Sequence, residues 1–391
     1  MTIRSWTSAF MGACTIGMLG CGPEVELKAS SAGQGGSGVT SSGAGGATGT
    51  MTPGVGGGGA GGGGGTPLVG AKYTTAPGFS DVVRDTKRNR VFVSTGGDGL
   101  VRVLELNTGA WKTLTLGHRT EHMYFDAALD QVLVAIAVKE HSDYWFDVDQ
   151  SGYMAVIDAA TLTAGKLIHL PLDPWQIVAN GAGYAYLSGA SGQHTHTMIV
   201  NLATGAVTVP DSPSIGQRTS LQIHPSKTHI YAVTTHSSIG SMYRFNIDGA
   251  TFASPYPPKN SIDHFLFGNL RMSPTGTTMF SASGGVFLAT GSQDTDMTWS
   301  GDLGIYWRDL AFRLDGKIAY LVPNQDLSLM DNVYKPLLYA VDSGSLQVVA
   351  TYKLTAPAER VLASEAGVLF VRVTLGGDPK TEVEVVANDA L

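Results

Sequence analysis

The feature that most constrains this chain is a unit of four short apolar runs between Phe79 and Leu116, separated by tight turns that contain Gly, Asp and Asn. Runs of this length joined by such turns indicate an antiparallel meander of four strands. One such sheet cannot cover both of its faces, so it needs further units of the same kind to pack against. The predicted strands are Phe79–Arg84, Arg90–Ser94, Leu100–Leu106 and Trp111–Leu116.

The unit recurs along the rest of the chain. Its second strand is predicted to start near Val91, Val132, Ala185, Ile230, Met279, Ala319 and Leu369. These starts lie about 40 to 55 residues apart, which is the period typical of propeller blades. The sequence therefore predicts an all-β fold, a seven-bladed β-propeller of four-stranded antiparallel blades.

The seventh unit contains only three predicted strands, Glu359–Ser364, Val368–Val373 and Thr381–Ala387. We expect its outer strand to come from the other end of the domain, where Leu68–Thr74 is strand-like. Strands from both ends of the domain would then close the ring, and a closed ring has no exposed sheet edge.

Three turn motifs resemble a known family: "HPSKTHIYAV" from His224, "SPTGTTMF" from Ser273 and "RLDGKIAYLV" from Arg313. With strands that close on Asp or Asn before Thr or Gly, they resemble the YVTN-type and lactonase-like seven-bladed β-propellers. The resemblance runs from Leu68 to the end and implies this architecture. The Tyr-Val-Thr-Asn signature is absent, with Tyr231–Thr234 the nearest approach, and no lactonase catalytic motif can be carried over.

The first residues indicate export. Arg4 precedes an apolar run, Ala9–Leu19, and Gly20-Cys21 closes a segment that resembles the bacterial lipobox, in which the cysteine is acylated. We expect residues 1–20 to be a lipoprotein signal peptide and Cys21 to carry the lipid; an ordinary secretory signal is the alternative. The other cysteine, Cys14, lies in the removed part, so the mature chain would have no free thiol.

Residues 21–66 are interpreted as a disordered linker. Gly33–Gly65 contains eighteen glycines among thirty-three residues, with little that is apolar to bury. The propeller is then expected to span residues 67–391. This order of segments predicts a location in the cell envelope, outside the cytoplasm, and Gly22 after the cysteine fits sorting to the outer membrane in enteric-type bacteria.

Charge limits the partners. The net charge is −7, only 15% of the residues are charged, and there is no basic run. Nucleic acids and anionic lipid surfaces need clustered Lys and Arg, so neither is expected as a partner. We expect a monomer that is attached to the membrane through its lipid and that contacts an unidentified protein or small-molecule ligand.

Two long loops between second and third strands are acidic, Lys139–Ser151 and Pro323–Lys335. The first contains oxygen ligands at alternate positions, as at the start of a calcium loop: Asp147, Asp149, Ser151 and the Tyr153 carbonyl, with Gly152 for the turn. Calcium is therefore the one predicted cofactor. The alternative is a solvated acidic turn.

Alignment of the seven inner strands gives a ring of mostly polar positions at one mouth, which we call the collar: Asp81, His122, Trp175, Ser220, Asn269, Asp309 and Glu359. Carboxylates near a histidine can bind a ligand or a metal, or exchange protons. The alternative is that strands simply begin at a watery mouth.

Histidines also collect on this face: His118, His122, His141, His194, His196, His236 and His264. His194 and His196 alternate, so both rings could face a transition metal; a hydrated loop surface is the alternative. Serine nucleophile elbows, zinc-protease and Walker motifs are absent, and there is no haem attachment motif. The sequence favours a binding or scaffold module. The rival hypothesis is a lactonase-like or metal-assisted hydrolase that works at the central mouth.

Overall fold

The computed structural model describes residues 66–68, 70–211, 214–234, 241–252, 255–258, 266, 268–324, 335–364, 367–374, 380–387 and 391. These residues form seven four-stranded antiparallel sheets arranged as propeller blades, and the predicted fold class is confirmed. The predicted signal peptide, Cys21 and nearly all of the predicted linker lie outside the described residues.

Blades 1 to 4 follow one another along the chain, each with its first strand innermost. Blade 1 consists of Asp81–Asp85, Arg90–Ser94, Leu100–Glu105 and Ala110–Thr115. Blade 2 consists of Arg119–Asp126, Gln131–Ala137, Gly152–Asp158 and a divided outer strand, Thr163–Ala164 with Ile168–Leu170. Blade 3 consists of Pro174–Ala179, Tyr184–Gly189, Met198–Asn201 and Val207–Thr208. Blade 4 consists of Ser220–Ile223, His229–Val233, Met242–Asp248 and Thr251–Phe252.

Blades 5 to 7 complete the ring. Blade 5 consists of Leu270–Met272, Thr278–Ser281, Gly285–Leu288 and Trp299–Asp302. Blade 6 consists of Trp307–Phe312, Ile318–Pro323, Leu337–Asp342 and Val348–Lys353. Blade 7 consists of Arg360–Ala363, Gly367–Thr374, Lys380–Ala387 and, as its outer strand, Ala71–Thr75. All seven predicted second strands are present, each starting within two residues of its expected position.

The core lies between the blades. Seven clusters of buried apolar side chains each join two neighbouring blades, and the last joins blade 7 to blade 1. In that closing cluster Val91 and Val93 pack with Leu369 and Val371, all fully buried. Middle strands are covered on both faces, so they read as continuous apolar runs rather than as alternating ones.

The N-terminal strand closes the ring, as predicted. Ala71–Thr75 pairs antiparallel with Lys380–Ala387. The predicted bounds, Leu68–Thr74, need correction because Leu68 is a core residue, 2% exposed, packed between blades 6 and 7. Just before it, Thr66–Pro67 pairs in parallel with the outer strand of blade 6. This short segment therefore joins two neighbouring blades.

Local turn chemistry also follows the prediction. The Asp158 carboxylate accepts hydrogen bonds from the backbone N–H and the hydroxyl of Thr161, and these bonds lower the pKa of Asp158. Asn201 and Asp342 hold equivalent turns after the third strands of blades 3 and 6. Short side chains of this kind can bond the turn backbone two or three residues ahead.

Helical structure is scarce in the part of the chain that the structure describes. Its only helical element is a single 3₁₀ turn, Asp147–Asp149. None of the described segments is a helix of the length and apolar character needed to cross a bilayer.

Candidate functional site

The collar residues lie where the alignment of strands put them, at the start of the inner strands. Asp81 and Ser220 are the first residues of their strands, while Asn269 and Glu359 directly precede theirs. The remaining three, His122, Trp175 and Asp309, lie inside their inner strands, near the beginning. All seven therefore face the same end of the propeller, which also carries the loops between second and third strands. We call this end the mouth face.

Three collar side chains bond the next blade. Asp81 accepts a hydrogen bond from the backbone N–H of Met123 at 2.9 Å, and Ser220 accepts one from Leu270 at 3.2 Å. Asp309 accepts one from Val361 at 3.0 Å. In each case the donor lies on the inner strand of the following blade. These side chains hold neighbouring blades in register and satisfy backbone groups that would otherwise be unpaired.

Gln176 makes the same kind of bond between blades 3 and 4, because its side-chain oxygen accepts from Leu221 N–H at 2.8 Å. Sequence reasoning missed this residue, since it lies one position beyond the aligned collar. The sequence feature that could have indicated Gln176 is an amide side chain in an otherwise apolar inner strand, Trp175-Gln176-Ile177-Val178.

The collar carboxylates also have cationic partners. Asp309 contacts the Arg271 guanidinium at 2.6 Å, and Glu359 pairs with Arg308. Burial would raise the pKa of Asp81, but the hydrogen bond and charge of His122, the charge of Arg360 and the Met123 N–H together lower it to about 2. Asp81 is thus ionised at neutral pH, and all three carboxylates already have a partner within the chain.

A buried ionic network, missed at the sequence level, lies beside the collar between blades 2 and 3. His141 Nδ1 is 2.7 Å from Asp173 and its Nε2 is 3.4 Å from Glu121. The three side chains are at most 8% exposed. Arg119 completes the network at 2.6 Å from Glu121, and the indole of Trp175 packs edge-on against the His141 ring.

This network does not have the geometry of a serine nucleophile and its base. Ser191 donates its hydroxyl proton to Asp173, the carboxylate that also holds His141, so the hydroxyl is not activated by the imidazole. Burial opposes protonation of His141, but the two carboxylates raise its pKa to about 9. The imidazole is therefore charged near neutral pH and cannot accept a proton as a general base there.

The His141 network predicts a stability that depends on pH. The pKa of His141 in the folded protein, about 9, lies above the ordinary value of 6.5. The contribution of His141 to the free energy of unfolding is therefore complete below pH 6.5 and is lost as the pH rises through 9. We expect a loss of about 2 kcal/mol between pH 7 and pH 10, allowing for partial solvent screening. Thermal unfolding of the wild type should show it, and His141→Gln should flatten the profile.

The control for this profile is His194→Gln, which changes an exposed histidine of the same face and should leave the alkaline slope in place. Burial lowers the pKa of His229 to about 4, so that residue is neutral throughout this pH window. An alkaline slope that persists in His141→Gln would contradict the assignment.

The loop Lys139–Ser151, here called the blade 2 loop, is fastened at its base and exposed at its tip. Ser142 N–H donates to Ser191 Oγ at 3.0 Å, and Gln150 donates to the Ser191 carbonyl at 3.2 Å. Gln217 donates to Asp143 at 2.8 Å. The tip residues Tyr144, Phe146 and Val148 are 85%, 76% and 92% exposed.

The calcium-loop residues are not gathered around one point. Asp147 faces His196 and Gln150, whereas Asp149 accepts from the nearby Phe146 N–H. Ser151 contacts His169, and Tyr153 lies within a strand. The 3₁₀ turn rotates successive residues by about 120°, so alternate side chains point apart.

The described residues contain no group of three or more His, Cys, Asp or Glu side chains that could hold a metal ion. As placed, the loop does not fit a calcium cage. Calcium binding stays a prediction, and melting curves with millimolar calcium and with chelator decide it: a rise that Asp147→Ala with Asp149→Ala abolishes supports it, and equal curves exclude it.

The predicted histidine cluster is divided among several contacts. His122 faces Asp81 at 3.3 Å, His118 stacks on Tyr153, and His141 belongs to the buried network. His194 and His196 share a short strand, His194–His196, that pairs with Ser214–Gly216, and His196 lies 3.8 Å from Asp147. His236, His264 and most of the Pro323–Lys335 loop lie outside the described residues.

Comparison with known proteins agrees on the fold. No family model and no curated protein sequence matches this chain. Among solved structures, 1256 chains match. One is the crystal structure of the Cps50 (Swd1) β-propeller domain of Myceliophteria thermophila, which covers 81% of this chain and 100% of that domain. Its TM-score is 0.58 and its sequence identity is 13%, so the likeness shows the propeller fold alone.

Proposed function

We propose that this chain is an envelope lipoprotein of the YVTN-type or lactonase-like propeller class, whose ring presents the blade 2 loop as a binding surface. The proposal rests on a difference between two groups of residues at the mouth face: the collar residues are bonded, and the loop tip is exposed. Asp81, Ser220 and Asp309 are engaged in bonds between blades. The tip of the blade 2 loop instead exposes three large apolar side chains, an arrangement typical of interaction sites.

The pKa values of the ionisable groups at the mouth face also favour binding over catalysis. A catalytic acid or base works best with a pKa near the operating pH. Asp81 has a pKa of about 2 and His141 one of about 9, so neither changes its charge near neutrality. Both groups suit a rigid frame that supports a binding surface.

The lipid anchor rests on the lipobox-like residues that end at Cys21. A diacylated or triacylated cysteine provides the two or more chains that stable anchoring requires. We expect Cys21→Ala to move the protein from the membrane pellet to the soluble fraction, while a serine-to-alanine change within the Gly-rich segment, Ser37→Ala, leaves it in the pellet. Sedimentation of Cys21→Ala with membranes would contradict the anchor.

The binding surface is tested by replacing residues 143–148 with a flexible Gly-Ser segment of equal length. Because the tip side chains are exposed, the thermal midpoint should shift by only a few degrees. Partners recovered from cell envelopes after chemical crosslinking should be lost. Recovery of the same partners from the replaced variant, still folded, would exclude this loop as the binding surface.

A hydrolase that works at the mouth is the second candidate, and one observation favours it. His122 lies 3.3 Å from Asp81 and packs edge-on against Trp175, with centroids 4.7 Å apart, so a histidine, a carboxylate and an aromatic ring meet at the channel entrance. His122→Gln should abolish turnover of lactones if this candidate is correct, and His194→Gln should not. A wild-type protein without lactone turnover excludes the lactonase-like form.

A further inference from the structure

The tip of the blade 2 loop forms one wall of a pocket. The pocket measures about 560 Å³ and is lined by Asp143–Val148 on one side and by Gly192–His194 of blade 3 on the other. It is a depression open to solvent rather than an enclosed cavity, so it suits a segment that lies across the surface. Gln193 and His194 are exposed at its rim.

Gly192 allows the two walls to meet. Its φ is +79°, and a Cβ at this position would lie 3.1 Å from the Trp145 carbonyl oxygen. Gly192 N–H also donates to the Ser142 carbonyl at 2.9 Å. The approach of the loops is therefore part of the local structure and does not depend on the exposed side chains at the tip.

The blade 2 loop is acidic. It contains Glu140, Asp143, Asp147 and Asp149, against Lys139 and the buried, charged His141. Two of the carboxylates have arginine neighbours outside the loop, Arg119 beside Glu140 and Arg218 beside Asp143. The side chain of Glu140 is 88% exposed and that of Asp147 is 50% exposed. Both remain open to a partner, although Glu140 contacts Arg119 and Asp147 contacts His196 and Gln150.

An aromatic ring beside the pocket already holds a cation. The ammonium of Lys139 lies 3.8 Å from the centroid of the Trp145 ring. Attraction between a cation and an aromatic face is strongest for tryptophan and also occurs with tyrosine and phenylalanine. Tyr144 and Phe146 present further rings to solvent.

We propose that this surface binds a basic peptide segment of a partner protein. Lysine or arginine side chains of the segment lie over the exposed rings and near Glu140 and Asp147, and its apolar side chains cover Tyr144, Phe146 and Val148. Charge complementarity selects this partner: a neutral saccharide could contact the rings but would not use the exposed carboxylates of Glu140 and Asp147. The inference rests on the proposed binding function and specifies its partner.

The test measures binding of a capped peptide, Lys-Leu-Lys-Lys-Leu-Lys, to the purified full-length chain by calorimetry. We expect a Kd of about 100 μM or tighter at low salt, weakening as the salt concentration rises. A peptide with glutamate in place of lysine, and one with serine in place of leucine, should each bind at least about tenfold more weakly.

Variants locate the site. Phe146→Ser and Glu140→Gln should each raise the Kd for the lysine peptide by about fivefold or more. The matched controls are Leu314→Ser, which changes an apolar side chain 55% exposed at a turn of the opposite face, and Asp248→Asn, an exposed carboxylate of that face. Both controls should bind as the wild type does.

Three outcomes overturn the inference: no binding of the lysine peptide, binding that Leu314→Ser weakens as much as Phe146→Ser, or tighter binding of a neutral oligosaccharide such as maltohexaose at the same loop. The broader binding function fails separately. It fails if the folded variant with the Gly-Ser segment in place of residues 143–148 recovers the same envelope partners, whether or not the wild type binds the lysine peptide.

Discussion

Deleting residues 66–75 should cost this protein about 5 kcal/mol or more of its free energy of unfolding, or cause aggregation. The deletion removes the outer strand of blade 7, the parallel pair with blade 6 and the buried side chain of Leu68. A buried leucine alone contributes roughly 2–5 kcal/mol, and the new free sheet edge can pair with other molecules. Thermal unfolding and light scattering measure both effects.

The matched control is deletion of residues 41–50, which removes ten residues from the Gly-rich segment. Its thermal midpoint should equal that of the full chain, because this segment has little apolar surface to bury. Equal midpoints for both deletions would show that the N-terminal strand does not stabilise the ring.

Asp309→Ala is expected to be the most damaging single change at the mouth. Asp309 is 1% exposed and binds both the Arg271 guanidinium and the Val361 N–H. Its loss leaves a half-buried cation and a backbone donor without their partner. Removing one member of such a buried pair costs about 3–5 kcal/mol. Denaturant unfolding should show this loss.

Glu359→Ala provides the comparison within the same collar. Glu359 pairs with Arg308 in a partly exposed position, with its side chain 21% exposed. A partly exposed ion pair contributes roughly 0–1 kcal/mol. If Asp309→Ala and Glu359→Ala have equal effects on stability, the buried bonds of Asp309 to Arg271 and Val361 do not stabilise the ring more than a partly exposed ion pair does.

The propeller could be predicted because its signals are local. The turn after Asp158 is determined by residues two or three positions ahead, and the second strand recurs seven times at a similar spacing. The start of the closing strand could not be predicted as well, because whether Leu68 extends the strand or enters the core depends on blades 6 and 7, whose residues lie far away in the sequence.

The candidate site was predicted only in part, for the same physical reason. Alignment of strands placed the collar at one mouth. It could not show that Asp309 binds Arg271 of blade 5 and Val361 of blade 7. The network of Glu121, His141 and Asp173 joins residues up to 52 positions apart, and nothing in their immediate neighbours indicates it. The alternation of Asp147 and Asp149 suggested converging ligands, but a 3₁₀ turn directs them apart.

We propose that this propeller contacts its partner through the blade 2 loop. The most direct measurement is photo-crosslinking in intact cells, with a photoreactive amino acid at Phe146 or, as control, at Leu314 on the opposite face. We expect a discrete crosslinked product from position 146, competed by the lysine-leucine peptide, and none from position 314. Products of equal yield from both positions, or none from position 146, would contradict the claim.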